Sequence, residues 1–322
     1  MSFAVADTVI QAQLDAGPKT PFWERDINEL RDEMRATCEA GGGEPEPVYS
    51  VGNIHAHGVP ARLYRPVGTE RDVLVWMHGG AWMFGDVDCF DSLARALANR
   101  AGCAVLSVDY RLAPEHPFPA GLEDVFAATS WAVTEFDRVS VGGDSSGGNL
   151  AAAVALRARD HGIALVHQLL VYPVLDGVVN SAFHRDFRLR YAHFGGRDYG
   201  AELQEGMRRI WELYIPDASQ RSTTDASPLR AGSLSGVTSA TIITAEHDIL
   251  RGEAEAYADR LRRDGCAVEL INFPNQLHGF FHLIGQLDSA RDAVEIAARA
   301  LSQAGSGETG RSGDLRITRG VR

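Results

Sequence analysis

The stretch "VSVGGDSSGGNL", residues 139–150, ends an apolar run in two glycine pairs that enclose an aspartate and two serines. Residues 143–147 match the pattern G-x-S-x-G, in which a serine occupies a sharp turn between a strand and a helix. Both neighbours that the pattern requires are present, since "RVSV" precedes the turn and the helix-forming "NLAAAVALRARD" follows it. Glycine on each side removes the crowding that such a strained turn produces. The stretch therefore predicts a strand, a turn and a helix, with Ser145 at the turn.

Two other interpretations of this turn remain open at this point. A glycine-rich turn can cradle a phosphate, but that use needs a following lysine or G-x-G-x-x-G spacing, and the stretch has neither. The chain has a single lysine, Lys19, in a polar segment near the N-terminus, which excludes a Schiff-base lysine in a buried site. Alternatively, Ser145 is only the capping residue of the following helix. Residues elsewhere in the chain are needed to distinguish these interpretations of the turn.

Composition limits the class of protein. The chain has 322 residues with 45% hydrophobic content, enough for one large α/β domain, and a formal net charge of −12. Because this charge repels phosphate backbones, we expect no nucleic-acid partner. The four cysteines are far apart and predict free thiols. No apolar run approaches 18 residues and no signal-peptide pattern opens the chain, so we expect a cytoplasmic protein without a membrane span.

Apolar runs alternate with helical patterns from residue 48 onward. The predicted strands are residues 48–56, 61–64, 73–77, 104–108, 138–141, 164–172, 240–245 and 268–273. The predicted helices between them are residues 90–100, 122–134, 149–160, 252–264 and 288–301. This alternation predicts an α/β fold with a mostly parallel, doubly wound sheet of about eight strands, which binds ligands at the carboxyl ends of its strands.

Two helical segments do not fit the alternation. Residues 1–45 and an insertion at about 178–215 are both predicted to be helical, and we expect them to form a cap over the active edge of the sheet. The catalytic domain is then expected to span residues 46–304. Residues 305–322 are poor in apolar side chains and are predicted to be a disordered tail.

A nucleophilic serine needs a base and an acid that orients the base. In folds with this serine turn, the acid and then the histidine follow the serine along the chain. Two apolar runs downstream end in such residues, "TIITAEHDIL" at Asp248 and "VELINFPNQLHGFFHL" at His278. Both follow predicted strands and should reach the edge that carries Ser145. A second role for Asp248, capping the helix that starts near Gly252, is compatible with catalysis.

Other titratable residues compete for these two roles. Glu246 and His247 flank the predicted acid, and Asp176 follows another predicted strand. His282 lies one helical turn beyond His278 within the apolar "GFFHL", so we predict that it packs in the interior. His278 precedes a glycine in a loop, where an imidazole can turn toward the site.

Donors for an oxyanion are predicted in the segment "VLVWMHGGAWMFGD". A strand ends at Met77, and residues 78–81, "HGGA", follow it in the position where a glycine-rich loop presents backbone N–H groups. A further donor is the N–H of Ser146, the residue after the nucleophile, at a helix N-terminus whose dipole favours negative charge.

With these residues assembled, the chain resembles the hormone-sensitive-lipase-like esterases of the alpha/beta-hydrolase fold. The resemblance covers residues 48–301 and rests on "HGGAW", "GDSSGG", "VDYRLAPEHPFPA", "YPVLD" and "ASPL" in the order of that family. It implies hydrolysis of short-chain acyl or aryl carboxylic esters through an acyl-enzyme, with a small-molecule ester as substrate and no cofactor or metal.

Motif by motif, the resemblance implies that Ser145 is the nucleophile, Asp248 the orienting acid and His278 the base. The implied oxyanion donors are the N–H groups of Gly80, Ala81 and Ser146. The remaining residues of the two glycine-rich motifs, which support them, are His78, Gly79, Gly143, Asp144 and Gly147. Ala81 stands where the family usually has glycine, and we expect its methyl group to narrow the acyl site.

Three alternatives stay beside the esterase hypothesis. "HGGAW" is also similar to the motif of related arylformamidases, so amide or formamide substrates remain open. A non-catalytic ligand receptor can share the fold, although receptors of this kind usually lose a triad member, and all three candidates are present here. The third alternative is a self-associating scaffold, such as a homodimer, in which the pocket is incidental.

Overall fold

The computed structural model of the chain describes residues 20–68, 71–191 and 198–306. The predictions for the first 19 residues and for the tail beyond residue 306 lie outside the described residues. Six residues of the predicted cap insertion, 192–197, also lie outside them.

One sheet of eight strands forms the centre of the described structure. The strands are β1 (Ser50–Ala56), β2 (Val59–Arg65), β3 (Asp72–Met77), β4 (Ala104–Val108), β5 (Arg138–Asp144), β6 (His167–Val171), β7 (Ala240–His247) and β8 (Val268–Leu277). Their spatial order is β1-β2-β4-β3-β5-β6-β7-β8, with antiparallel pairing at β1/β2 and β2/β4 and parallel pairing elsewhere. The predicted mostly parallel sheet is therefore confirmed.

The described residues form eight α-helices. They are α1 (Ile27–Gly42), α2 (Asp91–Ala101), α3 (Ala120–Glu135), α4 (Ser146–Asp160), α5 (Ala182–Arg190), α6 (Tyr199–Tyr214), α7 (Arg251–Arg263) and α8 (Asp288–Ser306). The five helices predicted between strands are all present, as α2, α3, α4, α7 and α8. Within the described ranges, no helix is long and apolar enough to cross a membrane.

The central strands are buried on both faces because helices cover the sheet on both sides, whereas β1 at the edge is largely exposed. Every residue of β4, "AVLSV", is buried, and so is every residue of β6, "HQLLV". Two separate apolar clusters lie on the two sides of the sheet. Val75 belongs to one cluster and its neighbour in β3, Leu74, belongs to the other, because successive side chains of a strand point to opposite faces. Burying a side chain of this kind contributes about 1.5–3 kcal/mol, so the two clusters fix the sheet firmly.

The N-terminal segment packs on the insertion between β6 and β7. Phe22 and Trp23 lie in a short 3-10 turn, and a Cβ placed on Gly206 of α6 would be 3.6 and 3.7 Å from their rings. The two segments that were predicted to lie together thus contact each other. That they act as a cap stays a prediction.

The strand register gathers three chain segments at one edge of the sheet. Asp144, the last residue of β5, pairs with Val171 of β6, and His247 at the end of β7 pairs with Leu277 of β8. Because these strands are parallel, the residues that follow β5, β7 and β8 all emerge at the same side. Ser145, Asp248 and His278 are those residues.

Candidate active site

Ser145 lies in a strained turn between β5 and α4. Its φ of 55° and ψ of −118° are unusual for a residue with a side chain, and such conformations cost about 1–3 kcal/mol. The surrounding backbone holds the turn, because the Ser145 N–H donates to the Val171 carbonyl at 2.9 Å and the Ser145 carbonyl accepts from the Val174 N–H at 3.2 Å. The turn therefore presents the hydroxyl in one orientation.

The glycines around Ser145 are required by close packing between α4 and β3. A Cβ on Gly147 would clash with the carbonyl oxygen of Met77, and a Cβ on Gly143 would clash with the same oxygen and with the Gly147 backbone. Neither position has room for any side chain. The G-x-S-x-G spacing thus brings the start of α4 against the end of β3.

Ser145, His278 and Asp248 form a continuous hydrogen-bonded chain. The His278 Nε2 lies 2.9 Å from the Ser145 Oγ, and the His278 Nδ1 lies 2.7 Å from the Asp248 Oδ2. The Asp248 side chain is fully buried, whereas the His278 side chain is 39% exposed. This arrangement has the geometry that a nucleophilic serine requires of a base and of an acid that orients the base.

Asp248 also stabilises the turn that precedes α7. Its Oδ1 accepts the Leu250 N–H at 2.9 Å, while its Oδ2 contacts His278. Oδ1 thus makes the contact expected for the predicted capping role, and Oδ2 makes the contact expected for the predicted orienting role.

The electrostatics of the site favour a protonated His278. Desolvation by the surrounding protein lowers the pKa of His278, but the charge of Asp248 and its hydrogen bond, with a smaller contribution from Asp144, outweigh that effect. The net result is a pKa above the ordinary value of 6.5. The imidazolium that forms when His278 takes a proton is thereby stabilised.

The competing carboxylates are engaged elsewhere. Glu246 accepts the Asn275 N–H at 2.8 Å, and Asp176 forms an ion pair with Arg230 at 2.6 Å. None of the described contacts connects either carboxylate to Ser145.

The competing histidines are engaged elsewhere as well. The His247 Nδ1 lies 2.6 Å from the Tyr191 hydroxyl. The His282 ring packs edge-on against Phe90 with centroids 6.1 Å apart, and burial lowers the pKa of His282 to about 4. The prediction that His282 is a packing residue is confirmed.

The loop after β3 presents free backbone donors. Gly80 has a φ of 120°, and its carbonyl accepts the N–H groups of Met83 at 2.9 Å and Phe84 at 2.8 Å. Ala81 follows with a φ of 54°. Among the described hydrogen bonds, none uses the N–H groups of Gly80, Ala81 or Ser146. The residues predicted to donate to an oxyanion therefore have unused donors.

Asp144 connects the nucleophile turn to this loop. Its Oδ1 accepts the Gly79 N–H at 2.8 Å, and the side chain is buried. Burial raises the pKa of Asp144 to about 7, although the bond from Gly79 opposes this shift. Asp144, the residue before Ser145, thus holds Gly79, the residue before Gly80 and Ala81.

His78 supports the same loop from inside the protein. Its ring is fully buried and stacks on Tyr110 with centroids 4.4 Å apart, and the Tyr110 hydroxyl donates to the His78 carbonyl at 2.8 Å. Burial lowers the pKa of His78 to about 4, so the ring is neutral near pH 7. Its contacts are those of a structural residue.

Sequence reasoning missed a role for Tyr172. This residue follows β6 with a φ of 33°, and its buried ring lies 4.7 Å from the His278 ring, centroid to centroid. "YPVLD" was noted only as a family motif. An aromatic residue directly after a strand at the active edge was the available signal.

No metal site accompanies these residues in the part of the chain that the structure describes, where no group of three or more His, Cys, Asp or Glu side chains is arranged to hold an ion.

Comparison with known proteins gives consistent similarities. The Abhydrolase_3 family model, described as an alpha/beta hydrolase fold, matches residues 74–282. The carboxylic ester hydrolase LipN of Mycobacterium tuberculosis is 40% identical over 278 residues, which cover 80% of this chain and 71% of LipN. The carboxylesterase NlhH of the same species is 37% identical over 269 residues, 79% of this chain and 81% of NlhH.

A solved structure is similar over almost the whole chain. The hyperthermophilic esterase of the archaeon Pyrobaculum calidifontis superposes with a TM-score of 0.83 at 31% sequence identity, covering 95% of this chain and 99% of that one. The family-model match over residues 74–282 includes Ser145, Asp248 and His278.

Proposed function

Because the chain belongs to the Abhydrolase_3 family, the hormone-sensitive-lipase-like branch of the alpha/beta hydrolase fold, we propose that it hydrolyses carboxylic esters through an acyl-enzyme formed on Ser145. Ester hydrolysis as the reaction class is supported by the similar proteins named above. The observation that carries the serine mechanism is the unbroken hydrogen-bonded chain from Ser145 through His278 to Asp248.

In the first half-reaction, the Ser145 Oγ attacks the acyl carbon of the ester while the His278 Nε2 accepts the hydroxyl proton. Asp248 holds the Nδ1 proton and stabilises the imidazolium, in line with the raised pKa of His278. The imidazolium then donates its proton to the oxygen of the departing alcohol, whose bond to the acyl carbon breaks. The acyl group remains on Ser145.

In the second half-reaction, water takes the place of the alcohol. His278 accepts a proton from the water as its oxygen attacks the acyl carbon, and it returns that proton to the Ser145 Oγ when the acyl–enzyme bond breaks. The products are a carboxylic acid and the free enzyme.

The negative oxygen that develops in both steps is bound by backbone donors. The N–H groups of Gly80, Ala81 and Ser146 are the donors with unused capacity beside Ser145. Loss of one such donor typically costs about 3 kcal/mol in the barrier. Ser146 is also the first residue of α4, where the helix dipole adds positive potential.

We propose short-chain acyl or aryl esters as the substrate class. Ala81 adds a methyl group to the donor loop, and the next residue, Trp82, stacks its ring on Tyr214 with centroids 4.1 Å apart. The Trp211 ring lies 5.0 Å from the Trp82 ring, and all three aromatic side chains are buried. Bulky side chains next to the donor loop leave less volume for an acyl chain.

The proposal is tested by Ser145→Ala with p-nitrophenyl butyrate as the substrate. We expect turnover near the background rate with an unchanged melting temperature. Ser130→Ala is the matched control, because Ser130 donates only to the Phe126 carbonyl within α3. Undiminished turnover by Ser145→Ala contradicts the mechanism. A parallel series of ester chain lengths with N-formylkynurenine separates esterase from formamidase activity.

A further inference from the structure

After β6, the chain leaves the sheet and passes directly beside the nucleophile. We call residues 172–177 the strap. The Val174 N–H of the strap donates to the Ser145 carbonyl at 3.2 Å, and the Tyr172 ring contacts the His278 ring at a centroid distance of 4.7 Å. The strap therefore contacts both the nucleophile's backbone and the base's side chain. A shift of the strap alters the alignment of these two groups.

A single buried carboxylate holds the middle of the strap. The Glu253 Oε2 accepts the N–H of Leu175 at 2.7 Å and the N–H of Asp176 at 3.0 Å. Glu253 lies in the first turn of α7, and its side chain is fully buried. A carboxylate accepts stronger hydrogen bonds than an amide oxygen does, although burial raises the pKa of Glu253 above its ordinary value of 4.5. An apolar side chain of similar size would fill the space but would leave both N–H groups without an acceptor.

The other oxygen of the same carboxylate faces α5. The His184 Nε2 lies 3.1 Å from the Glu253 Oε1, and neither side chain is exposed. The His184 Nδ1 lies 2.6 Å from the Ser181 hydroxyl, at the beginning of α5. A buried carboxylate is costly to desolvate, and the imidazole lies close to its second oxygen, although the two atoms do not have the alignment of a hydrogen bond.

The two helices also approach each other closely at this point. A Cβ on Gly252, the residue before Glu253, would lie 2.7 Å from the Phe183 Cβ, next to His184. Direct packing of α5 on α7 and the contact between His184 and Glu253 therefore occur together. α7 begins three residues after Asp248, so this contact region adjoins the segment that supplies the acid of the triad.

We propose that Glu253 and His184 are positioning residues for the reaction. Glu253 fixes the strap, and His184 joins that carboxylate to α5, so that the docking of α5 sets the alignment of Ser145 with His278. This inference rests on the proposed function, because it concerns the rate of the ester hydrolysis that we propose for Ser145 and His278.

The test compares kcat per folded molecule in Glu253→Ala, Glu253→Gln and Glu255→Ala, with p-nitrophenyl butyrate as the substrate and near-UV circular dichroism for the folded fraction. Glu255 is the matched control, because it lies on the same helix and pairs with Arg251, with 43% of its side chain exposed. We expect Glu253→Ala to lower kcat by about 10- to 100-fold, the range produced by loss of orientation. Glu253→Gln, which keeps an oxygen for the strap, should restore most of kcat, and Glu255→Ala should stay within about twofold of wild type.

If Glu253→Ala does not fold, the variant His184→Ala tests the same inference. This variant retains the strap's acceptor but releases α5, so we expect a smaller fall in kcat, with recovery in His184→Gln, whose amide can donate to the Glu253 Oε1. Full kcat per folded molecule in Glu253→Ala or His184→Ala, with only the melting temperature lowered, overturns the inference and leaves the proposed function standing. A wild-type protein without esterase activity overturns both.

Discussion

The His278 Nε2 lies 2.9 Å from the Ser145 Oγ, although 133 residues separate the two in the chain. Their proximity follows from the sheet, since β5 and β8 run parallel and the residues that follow both strands emerge at one edge. Asp248 reaches the same edge from β7 and completes the chain of hydrogen bonds at 2.7 Å. The chemistry of the site is therefore a consequence of strand order.

Asp248→Asn should change both the rate and its pH dependence. The base must be neutral to accept the Ser145 proton, so kcat/KM of wild type should rise with pH through a midpoint above 6.5, the ordinary value that Asp248 raises. Without the negative charge, the pKa of His278 falls and the midpoint moves to lower pH. We also expect kcat to fall on the order of 10³- to 10⁴-fold, because the asparagine no longer holds the correct tautomer.

The measurement is a pH–rate profile of wild type and variant on p-nitrophenyl butyrate. Asp137→Asn serves as the control, because Asp137 forms an ion pair with Arg71 away from the site. A midpoint that stays in place or rises in Asp248→Asn would contradict the assignment of Asp248 as the source of the raised pKa.

Asp144 should be replaceable by asparagine but not by alanine. Asparagine keeps an oxygen for the Gly79 N–H, so we expect kcat within a few-fold of wild type. Alanine removes the acceptor and loosens the loop of Gly80 and Ala81, so kcat should fall about 100-fold, comparable to the loss of an oxyanion donor. Equal kcat for both variants would show that the bond to Gly79 does not position the loop.

The same asparagine variant should alter stability as a function of pH. The folded pKa of Asp144, about 7, lies above its ordinary value of 3.8. The stabilising contribution of the protonated carboxyl is therefore full below about pH 4 and is lost as pH rises through 7. Urea denaturation should show Asp144→Asn gaining stability relative to wild type between pH 4 and pH 7. A constant difference over that interval would argue against a raised pKa.

Ala81→Gly should widen substrate use with little effect on stability. Glycine adopts the φ of 54° without the cost of about 1–2 kcal/mol that a left-handed conformation imposes on other residues, but it also gains about 0.4–1 kcal/mol of unfolded-chain entropy. The first effect exceeds the second by less than about 1 kcal/mol at the midpoints of these ranges, so we expect at most a small gain in stability. Removing the methyl group should raise kcat/KM for hexanoate and octanoate esters relative to acetate. An unchanged chain-length profile would mean that Ala81 does not border the acyl site.

The sequence predicted the strands well because most are continuous apolar runs between turn residues. Two of the largest differences, at the ends of β5 and β8, lie where tertiary pairing overrides local preference, whereas β6 begins three residues later than predicted, at His167. β5 was predicted to end at Val141, yet Gly142 and Gly143 continue the ladder with β6 to Asp144. Similarly, β8 was predicted to end at Phe273 but continues to Leu277, past an irregularity in its pairing with β7.

The proximity of Ser145, Asp248 and His278 could be predicted because each of them follows a strand at the same edge of the sheet. The buried positions of Glu253 and His184 could not be predicted, since isolated acids and histidines in helices usually face solvent. One signal was present, because Glu253 lies on the same helical stripe as the apolar Leu250 and Tyr257. Which group lies against the Glu253 carboxylate depends on how α5 packs on α7, and the sequence of one helix does not specify that packing.

The central claim is that Ser145 is the nucleophile of a serine hydrolase. The most direct measurement is intact-mass analysis after treatment with a fluorophosphonate, followed by peptide mapping, on wild type, Ser145→Ala and His278→Ala. We predict one adduct per wild-type molecule, located on Ser145, no adduct on Ser145→Ala and greatly slowed labelling of His278→Ala. An adduct on another residue, or equal labelling of wild type and Ser145→Ala, would contradict the account.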